Sequence, residues 1–122
     1  SFRAAFKRRR CIVPVSAFFE WRAIPGEKKK QKLRFASSEQ HPLALAGLWE
    51  HWQHPETGVR VETYTIITTT ANDFMAPIHD RMPAILGKPD WEAWLDPDMS
   101  NPILLQSMLA PCPDDWLECS AV

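Results

Sequence analysis

Apolar and polar positions change period several times along the chain. Phe2, Ala5 and Phe6 recur at helical spacing and predict a helix at the start. From Arg10 onward the pattern becomes extended: residues 11–15 and 18–21 predict strands, with Pro14 marking an edge, bulge or break in the first. Ile24-Pro25-Gly26-Glu27-Lys28 predicts a turn, and residues 32–36 return as a strand, giving a hairpin with a basic tip. The unbroken apolar run at 43–49 predicts a buried strand, and residues 54–58 a loop. Residues 59–70, rich in Val, Ile and Thr, form the clearest strand pattern. Ala71-Asn72-Asp73 predicts the cap of a short helix that Pro77 disrupts. A helix is expected over 89–95 with Trp91, Trp94 and Leu95 on one face. Another opens at Asn101-Pro102 and turns Leu105, Met108 and Leu109 inward. Residues 116–119 read as a final strand.

No repeat or linker interrupts this series, so residues 1–122 read as a single α+β domain with a mainly antiparallel sheet. Apolar residues make up 45% and charged residues 24%, which excludes disordered, collagenous and low-complexity classes. The apolar runs are too short to span a bilayer and no export signal opens the chain. Three cysteines without a pairing pattern favour a reduced compartment, cytoplasmic or nucleoid-associated. The net charge of −1 conceals an asymmetry. Residues 1–34 carry eleven Lys and Arg against Glu20 and Glu27, whereas the remainder is strongly acidic. A cationic third of this kind suits a polyanion, although a solvated basic surface accounts for it equally well.

Two clusters could carry chemistry. Glu20 lies between Phe19 and Trp21, and a carboxylate among rings is costly to ionise unless paired, which suits acid–base work. Simple alternation offers the other reading, with Phe19 and Trp21 inward and Glu20 in water. His79-Asp80-Arg81, bracketed by Pro77 and Pro83, combines a group that exchanges protons near neutrality with a guanidinium suited to phosphate. His51, His54, Cys112 and Cys119 have no zinc-module spacing, and no metal or cofactor is expected. Cys11 reads as a small hydrophobe, and no phosphate-binding glycine loop can be built. The many Trp and Phe residues interleaved with Lys and Arg fit single-stranded nucleic acid, with rings for bases and cations for the backbone.

Arg9-Arg10-Cys11-Ile12-Val13-Pro14, then Phe18-Phe19-Glu20-Trp21, then Thr68-Thr69-Thr70-Ala71-Asn72 and Ile78-His79-Asp80-Arg81-Met82-Pro83 resemble the SOS response-associated peptidase (SRAP) family in order and separation. The resemblance implies a bifurcated, barrel-like sheet flanked by short helices, mixed but mainly antiparallel. It makes Glu20 and His79 active-site residues and assigns DNA contacts to Arg81, Trp21, Arg9 and Arg10. It implies binding of single-stranded DNA and covalent capture of abasic sites through an N-terminal cysteine, with a related self-processing peptidase activity. Against the family pattern, the Met-Cys start, an Asn-Ala-Arg motif and a final Val-Ser-Arg-type strand are missing, and Ala17 replaces a glycine. The chain is therefore expected to be the central and C-terminal part of such a domain and, alone, inactive. Two alternatives stand beside this: a non-catalytic single-strand-binding module, and a hydrolase of another substrate using Glu20 and His79.

Overall fold

The computed structural model describes residues 2–122. In chain order the elements are α1 (Phe2–Arg8), β1 (Arg10–Val15), β2 (Phe18–Arg22), β3 (Gln31–Ser37), β4 (Leu43–Gln53), β5 (Arg60–Ile66) and β6 (Thr68–Thr70). These are followed by β7 (Arg81–Pro83), α2 (Trp91–Leu95), α3 (Pro102–Met108) and β8 (Leu117–Ala121). One sheet has the order β1-β4-β5, a second β2-β3-β8, and β6 pairs with β7 as a ribbon. Every strand pairing is antiparallel. The expected α+β architecture with a mainly antiparallel sheet and short helices is present. Among the described residues no closed barrel forms, and β4 is joined to the β6–β7 ribbon through the Leu45–Ile85 bridge and the Ile67 and Ala84 hydrogen bonds.

β4 is the wall between two cores, which is why its sequence is apolar without interruption. Leu43 and Leu45 enter one cluster with Leu33, Phe35, Met75, Met82 and Ile85. Ala44, Ala46 and Leu48, on the opposite face, join Trp94, Leu105 and Met108 in the other. Complete burial of Phe35 and Trp94 contributes roughly 1.5–3 kcal/mol for each side chain. Gly47 lets the neighbouring strands close on β4: a Cβ there would lie 3.0 Å from Cys11 Sγ and 3.2 Å from the Thr65 carbonyl.

Several boundaries have local causes. Pro25 and Gly26 occupy the middle of a turn closed by Glu27 N–H donating to the Ile24 carbonyl at 3.1 Å. Gly26 has φ +80°, as a type II turn requires. Asn101 caps α3, its Oδ1 accepting from the Ile103 and Leu104 amides at 3.0 and 3.2 Å, with Pro102 at the first position. The expected strand over 59–70 breaks at Ile67. There the chain changes partner: Ile67 N–H donates to the Ala46 carbonyl, and its own carbonyl accepts from Ala84 N–H. Residues 73–78 are turns rather than a helix. In α2 only Trp94 is buried, while Trp91 and Leu95 are exposed, so the expected three-residue apolar face is not formed.

Candidate active site

The β2–β3 pairing decides which way the aromatic–glutamate segment faces. Phe18 lies opposite Phe35, and Glu20 opposite Leu33, so both occupy the face covered by the core. Phe18 stacks on Phe35 with ring centroids 5.3 Å apart. Phe19 and Trp21 point the other way and are 39% and 50% exposed. This reverses the alternation that would have hidden the rings and put Glu20 in water. Glu20 is half-buried beside Phe18 and Leu33 and has no hydrogen-bond or ion-pair partner among the described residues.

The histidine segment is held by side chains distant in sequence. Buried Asn72 donates through Nδ2 to the Cys112 carbonyl at 2.9 Å and accepts the Met75 amide on Oδ1 at 2.9 Å. Asp114 Oδ1 accepts the Phe74 amide at 3.0 Å, and the Ile78 and His79 amides both donate to the Met75 carbonyl. The sequence marked Asn72 as a helix cap. Its cap-like bond exists, but it straps a series of turns.

His79 Nδ1 lies 3.1 Å from both the amide nitrogen and the carbonyl oxygen of Arg81, and 3.4 Å from Asp80 Oδ1. Unprotonated, it accepts from the amide; protonated, it donates to the carbonyl or the carboxylate. The ring thus keeps a partner through a change of protonation, and Nε2 is left without one among the described residues. Phe18 from β2 and Ile78 and Met82 from the histidine segment pack against one apolar cluster. The fold therefore brings these two segments to a common core despite the long stretch of chain between them.

The expected DNA-contacting arginines separate into three situations. Arg81 is exposed, and its Nη2 donates to the Thr68 carbonyl at 2.9 Å and Thr68 Oγ1 at 3.3 Å. Nε and Nη1 have no partner among the described residues, and the guanidinium borders a depression of about 400 Å³ with Thr68, Thr69 and Gln106. Arg9 donates to the Trp49 carbonyl and, at 2.8 Å, to Glu50 Oε1. That bond holds the Glu50 carboxyl below the usual range.

Arg10 is the correction. It is 6% exposed, and all five of its N–H donors face main-chain carbonyls: Trp94, Phe6, Lys7, Asp96 and Met99, at 2.6–2.9 Å. Its charge ties the last turn of α1 to the end of α2 and is not offered to a phosphate.

The family model for SOS response associated peptidase (SRAP) matches residues 1–122. The chain belongs to the SRAP family. It is 41% identical over 122 residues to the abasic site processing protein YoqW of Bacillus subtilis, covering 100% of this chain and 54% of that protein. It is 36% identical over 107 residues to the abasic site processing protein HMCES of Gallus gallus, covering 74% of this chain and 32% of that protein. A crystal structure of a Bacteroides thetaiotaomicron protein superposes with a TM-score of 0.92 at 31% identity, covering 100% of this chain and 53% of that one. The SRAP chain spans about half the length of its Bacillus subtilis relatives and about a third of HMCES.

Within the SRAP fold a wider groove, about 670 Å³, lies apart from both motifs and is lined by Ile12, Leu43, Leu86, Trp91 and Trp116 among others. Among the described residues no three His, Cys, Asp or Glu side chains gather as metal ligands, and no helix is long and apolar enough to cross a membrane. Of the polar groups in the two motifs, the Glu20 carboxylate and His79 Nε2 have no hydrogen-bond or ion-pair partner among the described residues, and the Asp80 side chain is almost fully exposed. Sequence reasoning passed over the outward pair Phe19 and Lys32. Their signal was present in the register: a ring and a cation on facing strands, each one position from the core-side pair Glu20 and Leu33.

Proposed function

We propose that this SRAP chain supplies the acid–base and strand-holding groups of a protein that binds single-stranded DNA and cross-links to abasic sites. The observation that supports the reading is that Glu20 and His79 Nε2, both without partners among the described residues, lie on segments packed against one apolar cluster. The names of YoqW and HMCES, which state abasic site processing, support it.

In the proposed reaction the α-amine of an N-terminal cysteine attacks C1′ of the ring-opened abasic sugar. The carbinolamine loses water to give a Schiff base, and the thiol adds across the C=N bond to close a thiazolidine, its proton passing to nitrogen. Opening the sugar ring and expelling water both need a proton delivered and removed, which is the work of Glu20 and His79. The held His79 ring suits this because either protonation state keeps the same orientation. Arg81, with Nε and Nη1 open, takes a phosphate; Trp21 stacks on a base; Arg9, paired with Glu50, is the weaker contact. Self-processing peptidase action ahead of the cysteine would use the same two groups.

The test is a denaturing gel of protein incubated with abasic single-stranded DNA. Residues 1–122 alone hold no cysteine with a free α-amine and are expected to form no thiazolidine adduct. In a chain that carries the N-terminal cysteine, Glu20→Gln and His79→Ala should each slow adduct formation about one hundred-fold or more while intact single-stranded DNA still binds. Wild-type rates in both variants would remove the assignment.

A further inference from the structure

Residues 73–78, which lead into His79, are turns, so side chains rather than a strand ladder fix where His79 stands. Phe74 is the link to the sheet that carries Glu20. Its ring meets Phe35 of β3 edge-on, centroids 6.2 Å apart and planes at 88°. Phe35 in turn stacks on Phe18, which lies two positions from Glu20 on the same face of β2. A second attachment comes from the C-terminal side. The Phe74 amide donates to Asp114 Oδ1 at 3.0 Å, and the carbonyl of Trp116 accepts from the Ser38 amide, just past β3, at 3.0 Å. From Leu117 the chain runs as β8 along the other edge of β3. The ring series and the Asp114 bond therefore tie the His79 loop to one body, the β2-β3-β8 sheet.

We propose that Phe74 and Asp114 are positioning residues for His79: the Phe74–Phe35–Phe18 series sets the His79 loop against β2, and Asp114 keeps Phe74 in the series. Neither residue needs to touch the sugar. The proposal rests on the reading of Glu20 and His79 as acid–base groups and names what aligns them. An edge-on pair of rings fixes an angle as well as a distance, whereas an aliphatic side chain of similar bulk fills the space without that preference. A shift at Phe74 passes to His79 through a single residue, because the Met75 carbonyl accepts both the Ile78 and the His79 amides. Phe74 is half-buried and Asp114 exposed, while Phe35, Met75 and Met82 are the fully buried members of this cluster. Changes at the first two are therefore expected to spare the core and act on alignment. There a displacement of about 1 Å is enough to slow a reaction about one hundred-fold.

Two measurements test this together. In a chain that carries the N-terminal cysteine, Phe74→Leu and Asp114→Ala should each slow adduct formation at saturating abasic DNA about tenfold or more, with binding of intact single-stranded DNA changed less than about twofold. Asp114→Asn keeps the Oδ1 acceptor and should restore the rate to within about twofold of wild type. In residues 1–122, nitrogen-15 spectra read the His79 ring itself. With Nδ1 accepting from the Arg81 amide, neutral wild-type His79 carries its proton on Nε2. Phe74→Leu and Asp114→Ala should draw the two ring-nitrogen shifts toward each other, as the tautomers mix. Wild-type rates and an unmoved His79 spectrum in both variants, with Glu20→Gln and His79→Ala still slow, overturn the positioning role alone. Slowing that leaves the spectrum unmoved, or that Asp114→Asn does not relieve, also overturns it, because general loosening then accounts for the loss. Wild-type rates in Glu20→Gln and His79→Ala remove the acid–base reading instead, and the spectra still decide whether Phe74 and Asp114 hold the ring.

Discussion

Replacing Arg10 tests the internal clamp directly. Arg10→Met keeps much of the apolar volume but removes five donors, leaving the carbonyls of Phe6, Lys7, Trp94, Asp96 and Met99 without their shared partner. Burial lowers the Arg10 pKa, and the nearby Asp96 charge opposes that shift, so the cation is kept inside by its carbonyl cage. Hydrogen bonds to charged groups contribute about 1.5–3 kcal/mol each when measured singly, yet they do not add, because orphaned carbonyls recover some water. Each carbonyl left short of its donor costs at most about 1–3 kcal/mol, and because five of them relax together the total is expected at about 3–5 kcal/mol. A chain of this length is stable by roughly 6–18 kcal/mol, so the loss is a large fraction of the total. At about 4 °C per kcal/mol, Tm should fall by about 12–20 °C. Arg10→Lys keeps the charge but has three donors at one point, which cannot span five carbonyls, and should lose nearly as much. Urea unfolding followed by circular dichroism reads this as a lower midpoint at constant slope. Both variants lying within about 0.5 kcal/mol of wild type would refute the clamp. A fully stable Arg10→Lys whose DNA-binding salt slope dropped by about one would return Arg10 to the phosphate contacts.

Other expectations follow from the same contacts. Arg81→Ala should weaken binding of single-stranded DNA and lower its salt slope by about one counterion or less, read by anisotropy. Asn72→Ala should cost about 1–3 kcal/mol, because it leaves the buried Cys112 carbonyl and the Met75 amide unpaired, and hydrogen exchange should rise first in residues 73–79. The Cys112 thiol is pushed up to about 11 by burial, reinforced by Asp114. Since the unfolded thiol ionises first, stability should fall as pH rises from about 9 to about 11, by up to about 2–3 kcal/mol relative to Cys112→Ser, measured by urea midpoints across that range. Iodoacetamide at mildly alkaline pH should label exposed Cys119 well before buried Cys112, and equal rates would contradict the packing.

What could be read from the chain beforehand was whatever local chemistry decides. The Pro25-Gly26 turn needs a fixed φ followed by a positive one, and those two residues supply it wherever they stand. Asn101-Pro102 starts a helix for equally local reasons. The run at 43–49 was legible because a strand between two cores has no polar face to conceal. The break at Ile67 was not, since it follows from a change of hydrogen-bond partner between β4 and the β7 side, and period-2 patterning is the same on both sides of such a switch. The mainly antiparallel α+β arrangement was legible, but the absence of a closed barrel among the described residues was not: strand patterns show which faces are apolar, not whether sheet edges meet.

The candidate site divides along the same line. Motif spacing identified Glu20 and His79 but could not say which face of β2 is covered, because alternation defines two faces without choosing between them. The choice comes from Phe35 and Leu33 in the partner strand, which draw Phe18 and Glu20 to the core side and leave Phe19 and Trp21 outside. Composition was misleading for the arginines, where adjacent residues have opposite fates. Arg9 at the surface meets Glu50; Arg10, one step along β1, turns inward to carbonyls that lie next to it in α1 and 84 to 89 positions away at the end of α2. A count of positive charges therefore overstates what a polyanion can reach. What it can reach is divided between α1, with exposed Arg3, Lys7 and Arg8, and the β2–β3 hairpin, with Lys28, Lys29, Lys30, Lys32 and Arg34. β2 thus sets two outcomes at once: its core-side parity turns Glu20 toward Leu33, and its other parity leaves Phe19 and Trp21 in solvent, so a one-residue slip of its register against β3 would exchange the two.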